Sequence, residues 1–203
     1  MKKILILALM FPALAMAAPL DQLLERLAKL DNLSGQFEQT MMDRDGSRLQ
    51  EASGELVVAR GNRFYWHTEL PFEELAVSNG ETVWVYDVDL EQVVVRPLTR
   101  DLTQTPALLF GGDPGEVGDA FVVEEQGRHG EQVTFRLFPK DSDPLFEELD
   151  VTFDGNIPRS MRLRDALGQK TVIDFLQVQV NDELDLSRFQ FQPPADADVI
   201  EQR

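Results

Sequence analysis

Gln132-Val133-Thr134-Phe135-Arg136-Leu137-Phe138 and Glu148-Leu149-Asp150-Val151-Thr152-Phe153-Asp154 decide the fold class. In the first, Val133, Phe135 and Leu137 fall on one side of an extended chain, and Thr134 and Arg136 on the other. In the second, Leu149, Val151 and Phe153 alternate with Asp150, Thr152 and Asp154. A period of two over this length is the signature of a half-buried β-strand. Outward from there the pattern continues. Met161 and Leu163 alternate with Ser160, Arg162 and Arg164, while Phe64, Trp66 and Thr68 share one face and Tyr65 and His67 the other. Trp84 and Tyr86 alternate with Val83 and Val85, and Val93-Val94-Val95 suits a strand apolar on both faces. Turn signals divide the runs at Asp45-Gly46, Asn79-Gly80, Asp154-Gly155-Asn156 and Leu167-Gly168. From residue 34 onward we count about eleven strands joined mostly by tight hairpins, which predicts an antiparallel meander, either a strongly curved sheet or a barrel. No internal repeat or low-complexity linker divides the chain.

Two segments depart from this period. Leu20, Leu23, Leu24, Leu27 and Leu30 are spaced as one face of an amphipathic helix over residues 20–30, suited to covering one face of the sheet. Between strands, Thr105-Pro106-Ala107-Leu108-Leu109-Phe110 reads as a short helix, apolar nearly all round, with Thr105 as N-cap, Pro106 in its first turn and Gly111-Gly112 ending it. A second helical turn is expected near Pro114–Gly118. An inserted apolar helix either plugs a core or acts as a movable lid over a cavity. The aromatic strands leave the same choice between a dry core and an apolar pocket.

The N-terminus predicts export. Lys2 and Lys3 precede an uncharged apolar run over 4–16, and Ala15-Met16-Ala17 offers the small-x-small pattern of a cleavage site after Ala17. The run is too short for a membrane span and contains Pro12. The expected organisation is a cleaved signal peptide, 1–17, and a single domain, 18–203. There is no cysteine, so the domain must be held by its core alone, even in a compartment that permits disulfides. A lipid-modified cysteine at the mature N-terminus is excluded as well, and the expected product is free in solution. The net charge of −17 becomes more negative when Lys2 and Lys3 leave. Such a surface repels phosphate backbones and anionic headgroups, so neither nucleic acid nor stable membrane insertion is expected.

No catalytic constellation emerges. His67 and His129 lack metal-ligand spacing, thiol chemistry is excluded, and no phosphate loop or Gly-x-Ser-x-Gly elbow occurs. Asp87, Asp89 and Glu91 at intervals of two suit a solvated acidic strand end better than any known Ca²⁺ loop. The expectation is a protein that is not an enzyme and carries no metal or cofactor.

Several stretches in order resemble the periplasmic outer-membrane lipoprotein carrier family, LolA. They are Arg60-Gly61-Asn62-Arg63-Phe64-Tyr65-Trp66-His67, Ser78-Asn79-Gly80-Glu81-Thr82-Val83-Trp84-Val85-Tyr86, Glu91-Gln92-Val93, Thr105-Pro106-Ala107-Leu108-Leu109 and Phe189-Gln190-Phe191-Gln192-Pro193-Pro194. The resemblance runs from about residue 20 to the end and implies an unclosed antiparallel β-barrel with an α-helical lid over an apolar cavity. It implies a monomeric periplasmic carrier that takes acylated lipoproteins from an ATP-driven inner-membrane transporter and passes them to a lipid-anchored outer-membrane acceptor. By the same resemblance, Arg60 matches the arginine that closes the lid, formed by Ala107, Leu108, Leu109 and Phe110. Phe64, Trp66 and Trp84 match the cavity wall or mouth. One departure is Gly61, where the family usually has proline. The alternative is a lipid- or lipoprotein-sensing regulator on the same half-barrel, which would ordinarily carry a second domain.

Overall fold

A computed structural model describes residues 17–99, 108–142 and 144–202. Helix α1 (Pro19–Ala28) begins with proline in its first turn, where the missing N–H costs nothing, and carries Asp21 near its start and Arg26 near its end. Strands β1 (Asn32–Met42), β2 (Arg48–Ala59), β3 (Arg63–Leu70), β4 (Glu74–Asn79), β5 (Thr82–Asp87) and β6 (Gln92–Pro97) form a first meander. The short helices α2 (Leu108–Gly111) and α3 (Gly115–Ala120) follow. A second meander comprises β7 (Phe121–His129), β8 (Gln132–Pro139), β9 (Glu148–Asp154), β10 (Ile157–Arg164) and β11 (Lys170–Val180). A 3₁₀ turn at Leu186–Phe189 leads to β12 (Asp198–Glu201).

All twelve strands belong to one sheet in the order β12-β6-β5-β4-β3-β2-β1-β11-β10-β9-β8-β7. The two meanders join where β11 pairs antiparallel with β1, from Leu33 opposite Val180 to Met42 opposite Lys170. The sheet does not close, and β12 and β7 stand at its two ends. The expected unclosed antiparallel architecture is therefore present, with one strand beyond the eleven expected. That strand, β12, runs parallel to β6, with Val199 opposite Val93 and Ile200 opposite Val94. The expected turns fall where placed, with Gly46, Gly80, Gly155 and Gly168 all at positive φ. The acidic run is a solvated strand end as expected, although its members do not share one strand: β5 ends at Asp87, and Asp89 and Glu91 lie exposed in the turn beyond it. The Asp87 carboxylate accepts the Leu90 N–H at 2.9 Å and so shapes that turn.

The register assigns each strand residue to a face. Leu33 and Phe37 of β1, Leu56 and Val58 of β2, Phe135 of β8, Val151 and Phe153 of β9 and Phe175 of β11 meet in one buried apolar cluster on the inner face. Leu23 and Leu27 of α1, both fully buried, pack into that cluster, and Leu20 and Leu24 lie at its margin. At about 1.5–3 kcal/mol for each large apolar side chain removed from water, this face supplies most of the folding energy. The outer face carries a smaller cluster, where Val57, Ala59 and Tyr65 are covered by Leu184 and Phe189.

Candidate functional site

The connection from β6 to β7 joins strands near opposite ends of the unclosed sheet, and its described helices sit against the inner face. Leu108, Leu109 and Phe110 of α2 are 1 %, 3 % and 2 % exposed. The Phe110 ring meets those of Phe175 and Phe153 edge to face, with centroids 5.7 Å and 6.4 Å away. Among the described residues, the side chains of this helix thus lie within the inner-face cluster. Ala107, expected in the same helix, lies outside the described residues.

Close approach is possible because Gly111 has no side chain. A Cβ there would lie 2.9 Å from both the Ala59 carbonyl oxygen and Val58 Cγ1, inside contact distance. The chain after α2 is held from the β2–β3 turn. Arg60 Nη1 donates to the Gly112 carbonyl at 2.7 Å, and Asn62 N–H donates to the Gly111 carbonyl at 3.1 Å. Arg60 Nη2 donates to the carbonyl of Leu27, at the end of α1. One guanidinium thus links α1, α2 and the sheet through two carbonyls, and its fixed charge makes these bonds stronger than neutral ones. Around Arg60, Asn62, Gly112 and Asp113 the surface forms an open hollow of about 400 Å³.

The turn that presents Arg60 has consecutive left-handed residues, Gly61 at φ +84° and Asn62 at φ +61°. Proline, fixed near φ −65°, could not adopt the Gly61 conformation. Asn62 tolerates the left-handed region better than most residues. Its carbonyl accepts from the Ser78 hydroxyl at 2.9 Å, which fastens this turn to β4.

Phe64 is 6 % exposed and Trp66 is partly buried, both on the inner face, where Trp66 packs on Phe37 with centroids 4.4 Å apart. Trp84 does not join them, which corrects its assignment to the same cavity wall. It pairs with Val77, itself opposite Tyr65, and those residues point to the outer face. Its face-mate Tyr86 meets Phe191 with centroids 5.9 Å apart.

Beyond Trp66, at the end of the inner face away from Arg60, lies a pocket of about 380 Å³ whose lining includes Gln39, Gln50, Thr68, Phe72 and Glu74. Glu74 is opposite Asp87 in the β4–β5 pairing. Burial, and secondarily the Asp87 charge, raise the Glu74 carboxyl above its ordinary value. Phe72 and Leu70 at the adjoining hairpin tip are 69 % and 63 % exposed.

Sequence reasoning missed Gly111 as a contact point, Asn62 and Ser78 as its supports, and Phe153 and Phe175 as partners of the inserted helix. The Gly111-Gly112 pair is the available signal. It reads as a helix stop, but adjacent glycines beside an apolar helix also mark close backbone approach. The inner face is lined chiefly by hydrocarbon, which gives it the means to hold apolar groups by exclusion of water. Among the described residues no group of three or more His, Cys, Asp or Glu side chains could hold a metal ion. His67 Nε2 lies 3.0 Å from Glu73 Oε1 at the β3–β4 hairpin. No described helix is long and apolar enough to cross a membrane.

Comparison with known proteins places this geometry. Residues 28–192 match the family model described as outer membrane lipoprotein carrier protein LolA. The outer-membrane lipoprotein carrier protein of Alcanivorax borkumensis is 56 % identical over 208 aligned residues, covering 100 % of both chains. That of Azotobacter vinelandii is 42 % identical, over 94 % of this chain and 92 % of its own. Among solved structures, an uncharacterised conserved protein from Thermus thermophilus superposes with a TM-score of 0.57 at 13 % identity. It spans 90 % of this chain and 98 % of its own, a likeness of fold alone. With a family model across most of its length and a full-length relative sharing more than half its residues, this chain belongs to the outer-membrane lipoprotein carrier family, LolA.

Proposed function

We propose that this protein is a non-catalytic periplasmic carrier. It receives the acyl chains of lipoproteins from an ATP-driven transporter in the inner membrane and delivers them to a lipid-anchored acceptor at the outer membrane. In this reading residues 1–17 are a signal peptide removed on export, and 18–203 are the working domain. The observation that carries the reading is the apolar helix α2, buried on the inner face of an unclosed sheet and held there through backbone carbonyls by Arg60. In this reading the bonds that Arg60 and Asn62 donate to Gly112 and Gly111, at the end of α2, are those that break when α2 leaves and re-form when it returns.

The physical demand is plain. Exposing acyl chain to water costs about 0.8 kcal/mol per CH₂, so roughly 12 kcal/mol for a sixteen-carbon chain. A multiply acylated protein therefore cannot cross water unaided. Its carrier must offer an apolar surface when loaded and hide that surface when empty. Leu108, Leu109 and Phe110 hide it by occupying it. Loading exchanges these side chains for acyl chain, a replacement nearly neutral in hydrophobic area. Release of the Arg60 bonds opposes opening, and that opposition keeps the empty protein closed. Direction is supplied from outside, by ATP at loading and by a higher-affinity acceptor at delivery. The match to carriers across nearly their whole length favours carriage over the sensing reading.

The test is release from spheroplasts holding newly made, acylated lipoproteins. Mature wild type is expected to bring lipoprotein into the soluble fraction as a one-to-one complex. Arg60→Leu is expected to load but to retain its cargo when acceptor membranes are added. No release by wild type from a competent transporter would refute carriage.

A further inference from the structure

Ser78 has the lowest exposure, 0 %, of the buried polar side chains among the described residues. It stands on β4 opposite Phe64 of β3 and Val83 of β5, two buried apolar residues of the inner face. Its hydroxyl donates to the Asn62 carbonyl at 2.9 Å and accepts the Gly80 N–H at 3.1 Å. One oxygen thereby ties the β2–β3 turn to the β4–β5 turn. The two turns also touch through their backbones. A Cβ on Gly80 would lie 2.3 Å from the Gly61 carbonyl oxygen, so no side chain fits between them.

The β2–β3 turn is also the source of the lid contacts. Asn62 uses both ends of its backbone. Its carbonyl accepts from Ser78, and its N–H donates to the Gly111 carbonyl of α2. Arg60, two residues earlier, donates to Gly112 and Leu27. The direction of the Asn62 N–H follows from how the turn is held, and the Ser78 hydroxyl is a side-chain group that holds it from within the sheet.

We infer that Ser78 is a positioning residue for lid closure: it fixes the Arg60–Asn62 turn so that the turn's donors face α2, which makes the β4–β5 turn part of the closing device. The inference rests on the carrier reading, in which α2 leaves and returns. Without the hydroxyl, the Asn62 carbonyl and the Gly80 N–H lose their partner in a buried place and the turn shifts toward water. The Asn62 N–H turns with it, away from Gly111, and the closed state is weakened relative to the open one. Apparent affinity for an apolar ligand equals the intrinsic affinity scaled by the fraction of protein that is open. Loosening the latch should therefore tighten binding, which the loss of a merely structural hydrogen bond would not do.

The experiment compares mature wild type, Ser78→Ala and Ser78→Cys. Each is titrated with palmitate carrying a fluorophore, and backbone amide exchange is followed over residues 108–120. Ser78→Ala is expected to bind the probe about fivefold more tightly, the factor equivalent to one net hydrogen bond of roughly 1 kcal/mol. Exchange over 108–120 should rise by a similar factor while β8–β10 stay as in wild type. Ser78→Cys keeps a side chain of similar shape but weakens both bonds; a smaller change in the same direction supports the inference and replaces the alanine result if that variant does not fold. Wild-type affinity and exchange in a folded variant overturn the inference but leave the carrier reading standing, provided wild type binds palmitate. Failure of wild type itself to bind palmitate overturns both.

Discussion

Truncating Phe110 to alanine separates a removable plug from a fixed piece of core. The ring is 2 % exposed and lies between Phe153 and Phe175. Burial of this kind makes Phe→Ala cost about 3–5 kcal/mol in stability, part of it for the cavity left behind. For a domain of this size each kcal/mol lowers the melting temperature by about 2–4 °C, so the empty protein should lose roughly 6–20 °C. The loaded protein behaves differently if α2 has been displaced, because the ring no longer occupies that site and its removal costs little there. The energy lost by the empty state then reappears as tighter binding. A shift of about 3 kcal/mol is roughly a hundredfold in the dissociation constant, an upper figure if the displaced ring finds other cover. The assay is paired: thermal unfolding of the empty variant, and titration with fluorophore-labelled palmitate. A less stable variant that binds more tightly supports displacement. A less stable variant that binds equally or more weakly refutes it and makes Leu108–Phe110 ordinary core.

Three further outcomes follow from other parts of the molecule. Gly61→Pro forces φ near −65° where the turn holds +84°, and should destabilise by more than about 1 kcal/mol, read as a lower urea midpoint; an unchanged midpoint would mean that the turn reshapes freely. The Glu74 carboxyl is held above its ordinary value by burial and by Asp87, so its protonated form is favoured by folding, and that stability is lost as pH rises through the folded-state value. Glu74→Gln should accordingly raise the melting temperature at pH 7, and the gain should shrink as pH falls through the carboxylate range; a gain constant with pH would contradict this. Arg26 donates from Nε to the Gly155 carbonyl at 3.1 Å and lies 5.4 Å from the centroid of Phe135. Arg26→Ala should cost about 2 kcal/mol in urea unfolding and speed amide exchange over residues 19–28; unchanged exchange there would show that α1 is held by its leucines alone.

Much of the fold is legible in residue order. Alternation in Gln132–Phe138 and Glu148–Asp154 identifies strands, glycines mark the hairpins between them, and leucine spacing identifies α1. Face identity is not legible across strands. Periodicity shows that Trp84 and Tyr86 share a side, but only the pairing of Trp84 with Val77 reveals that the side is the outer one. Strand β12 is invisible for a different reason: it has four residues, all exposed, and so no burial pattern to read. At the site, the inserted helix can be seen in Leu108-Leu109-Phe110, but periodicity cannot choose between plug and lid. Arg60 comes from family resemblance alone, since nothing in its local sequence says that its guanidinium reaches Leu27 and Gly112. Ser78 opens one of the family-like stretches but carries no role there, and a serine among strand residues reads as an outward-facing polar position.

The seam between β1 and β11 bears on when the protein can form at all. Asn181, just beyond β11, accepts the Asp31 N–H across 150 residues of chain, and nearly the whole of β1 is zipped to a strand that is among the last to be made. Contacts so distant in sequence must overcome the entropy of closing a long loop before they return any stability, and topologies dominated by them fold slowly. The first six strands lack one flank of β1 and the covering β12 until the final segments arrive. On the proposed export route that delay is useful. A chain that completes its sheet late stays unfolded for longer, and so stays open to threading through a membrane for longer.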